Sequence, residues 1–185
     1  GGVVAFSTQV TKECIELFKK KFIEVLIAPS FEEGVIEELS RDKKKLRIIK
    51  IKPGFLDSRK SEIITRQKVE GGVLVQTVDG PIFEEFENKT KIKFPNELYK
   101  ISRFGIVAAK WLKSNAITIV YQNSQGGFEL IGAGSGQPNR IDSIKRLAIP
   151  KSFEILNTKF NGDKIKIKTA LENCVVVSDA FFPFS

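Results

Sequence analysis

A chain of 185 residues with 42% apolar side chains, 15 Phe and 28% charged residues has the material for one domain or two small lobes around a real core. Nowhere does it approach the roughly 18 consecutive apolar residues of a membrane span, and 30 Lys and Arg against 22 Asp and Glu leave a net charge of +8, which favours anionic partners without choosing among phosphates, folates and nucleic acid. The absence of His excludes a Ser-His-Asp triad, a Cys-His pair, a His-ligated zinc and an imidazole acid or base from this chain's own residues. Cys14 and Cys174 form no CxxC, so packing roles in a reducing cytoplasm are expected. The start, Gly1-Gly2-Val3-Val4-Ala5-Phe6, has neither an initiator Met nor a basic stretch before an apolar one, and it reads as an interior segment.

In chain order, Val3 to Phe6 predicts a buried strand, and Thr11 is placed to cap a helix over Lys12 to Phe22. Ile15, Phe18 and Phe22 recur on one face of that helix, with Lys12, Glu16, Lys19 and Lys20 on the wet face. Glu24 to Ala28 predicts a second buried strand stopped by Pro29, and Ser30-Phe31-Glu32-Glu33 has the form of a capping box before a helix carrying Val35, Ile36 and Leu39. A basic turn at Asp42 to Lys45 precedes a third strand, Leu46 to Lys52, ended by Pro53-Gly54. Glu62 to Val69 and Val73 to Thr77 flank a Glu-Gly-Gly turn as a hairpin. The charged stretch Phe83 to Lys93 reads as a connector and sets a lobe boundary between residues 93 and 94.

Pro95 opens a helix in which Leu98, Ile101, Gly105, Ala108 and Leu112 share a face beside Trp111, ending near Lys113. Ala116 to Tyr121 and Phe128 to Ala133 predict a second hairpin, and a glycine-rich turn follows. Ser143 to Ile149 predicts a helix stopped by Pro150, Ile155 to Phe160 and Ile165 to Thr169 predict strands around Asn161-Gly162, and Cys174 to Val177 predicts a last buried strand. Strands alternating with helices give an α/β fold class.

Three segments can carry chemistry. Gly132 to Arg140 follows a strand and leads to a helix, so its backbone N–H groups and the Arg140 fork suit an anion, or the glycines serve a tight turn. It is neither a Walker loop nor a full G-x-G-x-x-G fingerprint. Asn115, where a helix hands over to a strand, presents its amide to a substrate or caps the helix. Ser178-Asp179-Ala180-Phe181-Phe182-Pro183-Phe184 offers aromatics that stack on a flat heterocycle or plug a core, and Asp179 binds a cation or caps the next element. Glu24 sits at the edge of an apolar strand, the ordinary place for an exposed end residue.

Together, Lys113-Ser114-Asn115-Ala116, Gly132 to Arg140 and Ser178 to Phe184, in this order and spacing, resemble the transformylase domain of the bifunctional purine biosynthesis enzymes, phosphoribosylaminoimidazolecarboxamide (AICAR) formyltransferase. Gly1 to Phe6 and Ile27-Ala28-Pro29 are similar to that pattern too, so the likeness spans nearly the whole chain. The resemblance implies two lobes of cytidine-deaminase-like α/β fold, with mixed sheets and flanking helices and without the deaminase zinc, over residues 1–93 and 94–185. It implies formyl transfer from 10-formyltetrahydrofolate to the 5-amine of AICAR, in a cytoplasmic homodimer with active sites at the interface, and a fused IMP cyclohydrolase domain. It places Gly1, Glu24, Asn115 and Arg140 on the AICAR nucleotide, with Asn115 also catalytic, and Ile141, Phe181, Pro183 and Phe184 on the folate. That division suits the side chains: a guanidinium for an anion, a carboxylate for ribose hydroxyls, aromatic faces for a pterin.

By the same resemblance a monovalent cation, potassium, belongs near Ser114 and Asp179, although Ala116 departs from the Ser of some members. The family's Lys-His pair and C-terminal His have no counterpart here, so the chain is expected not to catalyse alone. Two other readings have less support. One is a basic nucleic-acid module on Lys43 to Lys45 and Arg47, against which the basic residues are dispersed and no RNA-binding aromatic signature is present. The other is a non-catalytic interaction remnant.

Overall fold

The computed structural model describes residues 2–19, 21–55, 64–78 and 86–181. The chain divides into two compact units, Gly1–Val78 and Asp79–Ser185. In the first, β1 (Val3–Ala5), α1 (Lys12–Lys19), β2 (Val25–Ala28), α2 (Val35–Asp42) and β3 (Arg47–Lys50) alternate, and the strands form a parallel sheet in the order β1-β2-β3. Parallel neighbours need crossovers, which α1 and α2 supply. Ile15 and Phe18 of α1, Leu26 and Ala28 of β2 and Val35 and Leu39 of α2 close the core with Val10 and Ile23. Full burial of one such Leu or Ile contributes about 1.5–3 kcal/mol. Beyond the sheet, β4 (Ile64–Val69) and β5 (Gly72–Thr77) pair as the expected antiparallel hairpin, Val69 opposite Gly72.

Three local expectations in this unit are revised. Val3 to Phe6 is not a buried strand: β1 is the edge of its sheet and Val3 is 68% exposed. Helix α1 ends at Lys19, so Phe22 falls beyond its apolar face and stays exposed. The capping box does not form, because Gly34, at φ 84°, is the N-cap of α2 in a left-handed conformation that favours glycine. Glu32, next to the capping-box Glu33, accepts from the Lys12 backbone N–H at 2.9 Å, satisfying an orphan donor in the first turn of α1.

In the second unit a 3₁₀ turn (Asn96–Leu98) runs into α3 (Tyr99–Lys110), followed by β6 (Ile117–Gln122) and β7 (Phe128–Gly134). A helical run then comprises α4 (Arg140–Asp142), a π-helical turn (Ser143–Ala148) and α5 (Ile149–Lys159), before α6 (Lys164–Glu172) and β8 (Val175–Ser178). The sheet is antiparallel, in the order β7-β6-β8. Ile117, Thr118, Ile119 and Val120 of the central strand are all buried. On one side Ile117 and Ile119 pack with Ile131, Ala148, Leu156, Ile167 and Ala170; on the other Val120 packs with Ile101 and Val175. Buried Thr118 donates to the Gly105 carbonyl of α3 at 3.0 Å, which satisfies its hydroxyl.

Helix and strand meet here at backbone distance. A Cβ on Gly132 would lie 2.4 Å from the Ala148 carbonyl oxygen, and one on Gly134 would lie 2.1 Å from that of Ser143. Pro150 does not stop the helix as expected: it sits in the first turn of α5, where its missing N–H costs little, and the wider π-helical turn before it takes up the change of register. Ile155 to Phe160 and Ile165 to Thr169 are helical, not strands. Ala148, Ser152 and Leu156 recur four residues apart on the buried face, Ile167 and Ala170 three apart. Asp163 caps α6 by accepting from the Ile165 and Lys166 N–H groups at 3.1 Å.

The α/β class and the flanking helices stand, but among the described residues each sheet has a single sense, so none of them is mixed. No helix among these residues is long and apolar enough to cross a membrane. They also hold no group of three or more His, Cys, Asp or Glu that could bind a metal ion.

Candidate functional site

Antiparallel order decides what meets at the end of the second sheet. Because Ile117 at the start of β6 faces both Gly134 at the end of β7 and Ser178 at the end of β8, the residues before β6 and after β7 and β8 gather at one edge. Ser114 and Asn115 come from the first of these segments, Arg140 and Ile141 from the second, Asp179 and Phe181 from the third.

Asn115, half-buried, donates from Nδ2 to the Gln137 carbonyl at 2.9 Å. Its own carbonyl accepts from the fully buried Ser143 hydroxyl at 2.6 Å. One residue earlier the Ser114–Asn115 peptide bond is cis. The Ser135 hydroxyl accepts from the Lys113 N–H at 3.0 Å and donates to the Lys113 carbonyl at 3.1 Å, and the Gly136 N–H donates to that same carbonyl at 2.8 Å. The glycine-rich turn is thus tied to the segment carrying Asn115. Of the residues that do the tying, Gln137 belongs to the Gln-x-x-Arg pattern of the turn, whereas Ser135 in the turn and Ser143 in the helical run carry no distinguishing pattern of their own.

Arg140 lies at the first position of the helical run, whose N-cap is Asn139, its Oδ1 accepting from the Asp142 N–H at 2.8 Å. The Arg140 side chain is only 10% exposed. Nη2 donates to Asp179 Oδ1 at 2.8 Å and Nη1 to the Phe181 carbonyl at 3.2 Å, while Nε is buried without a partner among the described residues. A buried N–H left unmade is costly and calls for an acceptor. Burial pushes the Asp179 carboxyl up, but hydrogen bonds from the Ser114 side chain, Arg140 and the Ala116 backbone outweigh it, and the group sits below the ordinary carboxylate value. Asp179 is therefore the counter-ion of Arg140, a use the sequence reading did not assign to it.

The remaining expected residues divide. Ile141 is 49% exposed on the first turn of the helical run, and Phe181 is 77% exposed past the end of β8, so both present apolar surface to solvent. Glu24 belongs to the first unit, exposed at the start of β2, with its N–H on the Gly2 carbonyl at 2.9 Å. Gly1, Pro183 and Phe184 lie outside the described residues. What the cluster offers chemically is a fixed amide, a nearly buried guanidinium with an unused N–H, and exposed aromatic and aliphatic surface beside it.

Over residues 1–151 the chain matches the model of the AICARFT/IMPCHase bienzyme family. It is 35% identical over 184 residues to the bifunctional purine biosynthesis protein PurH of Fusobacterium nucleatum, covering 100% of this chain and 32% of that protein. Identity is 37% over 189 residues with the PurH of Lactobacillus delbrueckii, again 100% of this chain and 32% of the relative. With the PurH of Petrotoga mobilis it is 35% over 185 residues, 100% and 31%. The chain spans about a third of the length of these relatives. A match running over residues 1–151, most of the chain and including Asn115 and Arg140, means that the chain belongs to the AICARFT/IMPCHase bienzyme family.

Proposed function

We propose that this chain is part of an enzyme that transfers a formyl group from 10-formyltetrahydrofolate to the 5-amine of AICAR, giving the formylated nucleotide and tetrahydrofolate in purine synthesis. The observation that carries the reading is the convergence of Asn115, Arg140 and Phe181 at one sheet edge within a chain of this family. In the reaction the amine nitrogen attacks the formyl carbon, the bond from that carbon to folate N10 breaks, and the amine's proton is delivered to N10. The amine is weakly nucleophilic, so holding the two partners in line and stabilising the developing oxyanion are the main tasks.

Asn115, with Nδ2 committed to Gln137, offers Oδ1 to the substrate's amine or carboxamide N–H. Arg140 takes the anionic nucleotide through its unused N–H groups, and Glu24 accepts from ribose hydroxyls. Ile141 and Phe181 face the folate, and the family pattern assigns Pro183 and Phe184 to the folate and Gly1 to the nucleotide. The residues assigned here bind and orient the substrates; by the resemblance, the Lys-His pair and C-terminal His of the family, which have no counterpart in this chain, contribute the proton chemistry. Ser114 and Asp179 do not fit a dedicated potassium site as they stand, because Ser114 donates to a carboxylate whose charge Arg140 already matches; no step is derived through that ion.

The two lobes of this reading are of deaminase-like type, divided in the connector between residues 93 and 94. The assembly is a cytoplasmic homodimer with shared sites, carrying a cyclohydrolase domain in the same polypeptide. The test is formyl transfer by the longest natural polypeptide containing these residues, followed as tetrahydrofolate formation with and without AICAR, beside Asn115→Ala and Arg140→Ala. AICAR-dependent turnover lost in both variants supports the reading. Absence of binding for both substrates refutes it.

A further inference from the structure

Arg140, assigned to the nucleotide, reaches the segment assigned to the folate, and two acceptors fix its guanidinium. Nη2 reaches Asp179 Oδ1 at 2.8 Å, Nη1 reaches the Phe181 backbone carbonyl at 3.2 Å, and Nε has no partner among the described residues. Both acceptors belong to the short segment that leaves β8 at Ser178, whose described residues are also tied by the Asp179 N–H on the Ala116 carbonyl at 3.2 Å, by the Ala180 N–H on Ser178 Oγ at 3.4 Å and by hydrogen bonds from the Ser114 side chain and the Ala116 backbone to the Asp179 carboxylate. Among these ties, Arg140 is the side chain that holds the backbone of Phe181 itself, beneath its exposed ring.

From this geometry we infer that Asp179 is a positioning residue whose ion pair with Arg140 couples the two substrate subsites, so that nucleotide binding strengthens folate binding and the reverse. The inference rests on the nucleotide and folate assignments proposed above and adds to them a linkage and its sign. An anion on the unused edge of the guanidinium immobilises Arg140. Arg140 in turn holds Asp179 and the Phe181 carbonyl, so the segment bearing the ring is ordered before the folate arrives, and the ordering cost is met once instead of twice. Asp179 makes this work because it is charged. A planar fork held by a carboxylate on one nitrogen and a carbonyl on another cannot swing to follow the nucleotide without breaking a charge-assisted bond.

The experiment uses the longest natural polypeptide carrying these residues. The dissociation constant of AICAR is measured by calorimetry with and without saturating 10-formyltetrahydrofolate or a non-transferable folate analogue, and that of the folate with and without AICAR, in potassium and again in choline salts. The native protein is expected to show a coupling of about fivefold or more, equal in both directions as linkage requires. In Asp179→Asn each substrate alone binds within about threefold of the native value while the coupling falls below about twofold, and Asp179→Glu restores most of it.

A coupling that persists in Asp179→Asn, or one absent from the native protein while each substrate still binds, overturns the inference and leaves the proposed function standing. A coupling that appears in potassium and vanishes in choline also overturns it, since the carboxylate then acts through a cation. Failure of either substrate to bind the native protein defeats the proposed function itself. Should Asp179→Asn lose its near-ultraviolet circular dichroism, Asp179→Glu carries the test alone: with the pair kept and the geometry lengthened, it must retain coupling, and its loss in a folded Glu variant counts against the inference.

Discussion

Gly134→Ala tests the claim that the glycine-rich segment is first of all a packing device. The added Cβ would stand 2.1 Å from the Ser143 carbonyl oxygen, 2.6 Å from its carbon and 2.9 Å from its Cα. Ordinary contact needs more than an ångström of extra space, and the obstacle is backbone, which cannot rotate aside as a side chain does. Overpacking a tight interior costs about 1–3 kcal/mol, and a contact this short against main chain belongs at the top of that range. For a unit of roughly 100 residues, about 3 kcal/mol lowers Tm by roughly 12–24 °C.

Urea unfolding followed by far-ultraviolet circular dichroism gives the cost, with the slope expected to stay constant. Gly72→Ala, where the added Cβ meets nothing within 4 Å, is the control and is expected to change stability by less than about 1 kcal/mol. The displacement also has a chemical consequence. Ser143 holds the Asn115 carbonyl at 2.6 Å, so moving its backbone moves the amide assigned to catalysis, and Gly134→Ala should lose turnover in protein that is still folded. If Gly134→Ala proves as stable as the parent within about 0.5 kcal/mol, the close approach of the helical run to β7 is wrong.

Asn139→Ala removes the side-chain acceptor of the Asp142 N–H and is expected to cost about 1 kcal/mol in the same urea experiment. Asp179 has a folded-state pKa below its unfolded value of about 3.9, so the stability it contributes is present above about pH 4 and is lost as pH falls through the lowered folded value. Asp179→Asn should flatten the acid limb of a Tm-against-pH curve, and an unchanged limb would contradict the pairing. Arg140→Ala is expected to weaken nucleotide binding at least tenfold by calorimetry. Arg140→Lys should recover little of it, because an ammonium cannot span the Asp179 carboxylate and the Phe181 carbonyl in one plane while leaving a further N–H for the ligand.

How much of this was legible in the sequence depends on the range of the physics involved. The alternation Val25–Ala28, α2, Arg47–Lys50 is written in short apolar runs and helical spacing, and it was read correctly; so were both hairpins. The helix over Tyr99–Lys110 and the last strand, Val175–Ser178, also follow the sequence, whereas tertiary context overrides other local patterns. Val3 to Phe6 has the composition of a core strand, yet its place at the sheet's edge follows from strand order, which composition does not carry. Ser30 and Glu33 have the spacing of a capping box, but α2 is capped by Gly34 instead, and the neighbouring Glu32 serves the Lys12 N–H, 20 residues earlier in the chain. Ile155 to Phe160 and Ile165 to Thr169 flank Asn-Gly like the arms of a hairpin, and only the stripe Ala148, Ser152, Leu156, which crosses a proline, marks the helix. At the site, a family pattern is what proposes Asn115 and Arg140, whereas the Arg140–Asp179 pair joins residues 39 apart and has no local signal.

The segment from Gly132 to Arg140 shows why motif and packing readings of one loop need not compete. Gly132 and Gly134 are required by the carbonyls of Ala148 and Ser143 that press on β7, and Gly136, at φ 67°, turns the chain back so that its N–H can reach the Lys113 carbonyl. None of the three needs a ligand to explain it. Their combined effect, though, is to bring the N-terminus of a helical run hard against the end of a sheet, and Arg140 is the first residue of that run. Its guanidinium is carried into a nearly buried position where two acceptors hold Nη1 and Nη2 and Nε is left without a partner among the described residues. A looser turn would leave Arg140 in solvent, its nitrogens satisfied by water and its charge screened. The glycines thus act on function through distance: close packing places the cation, and burial makes its remaining N–H worth satisfying.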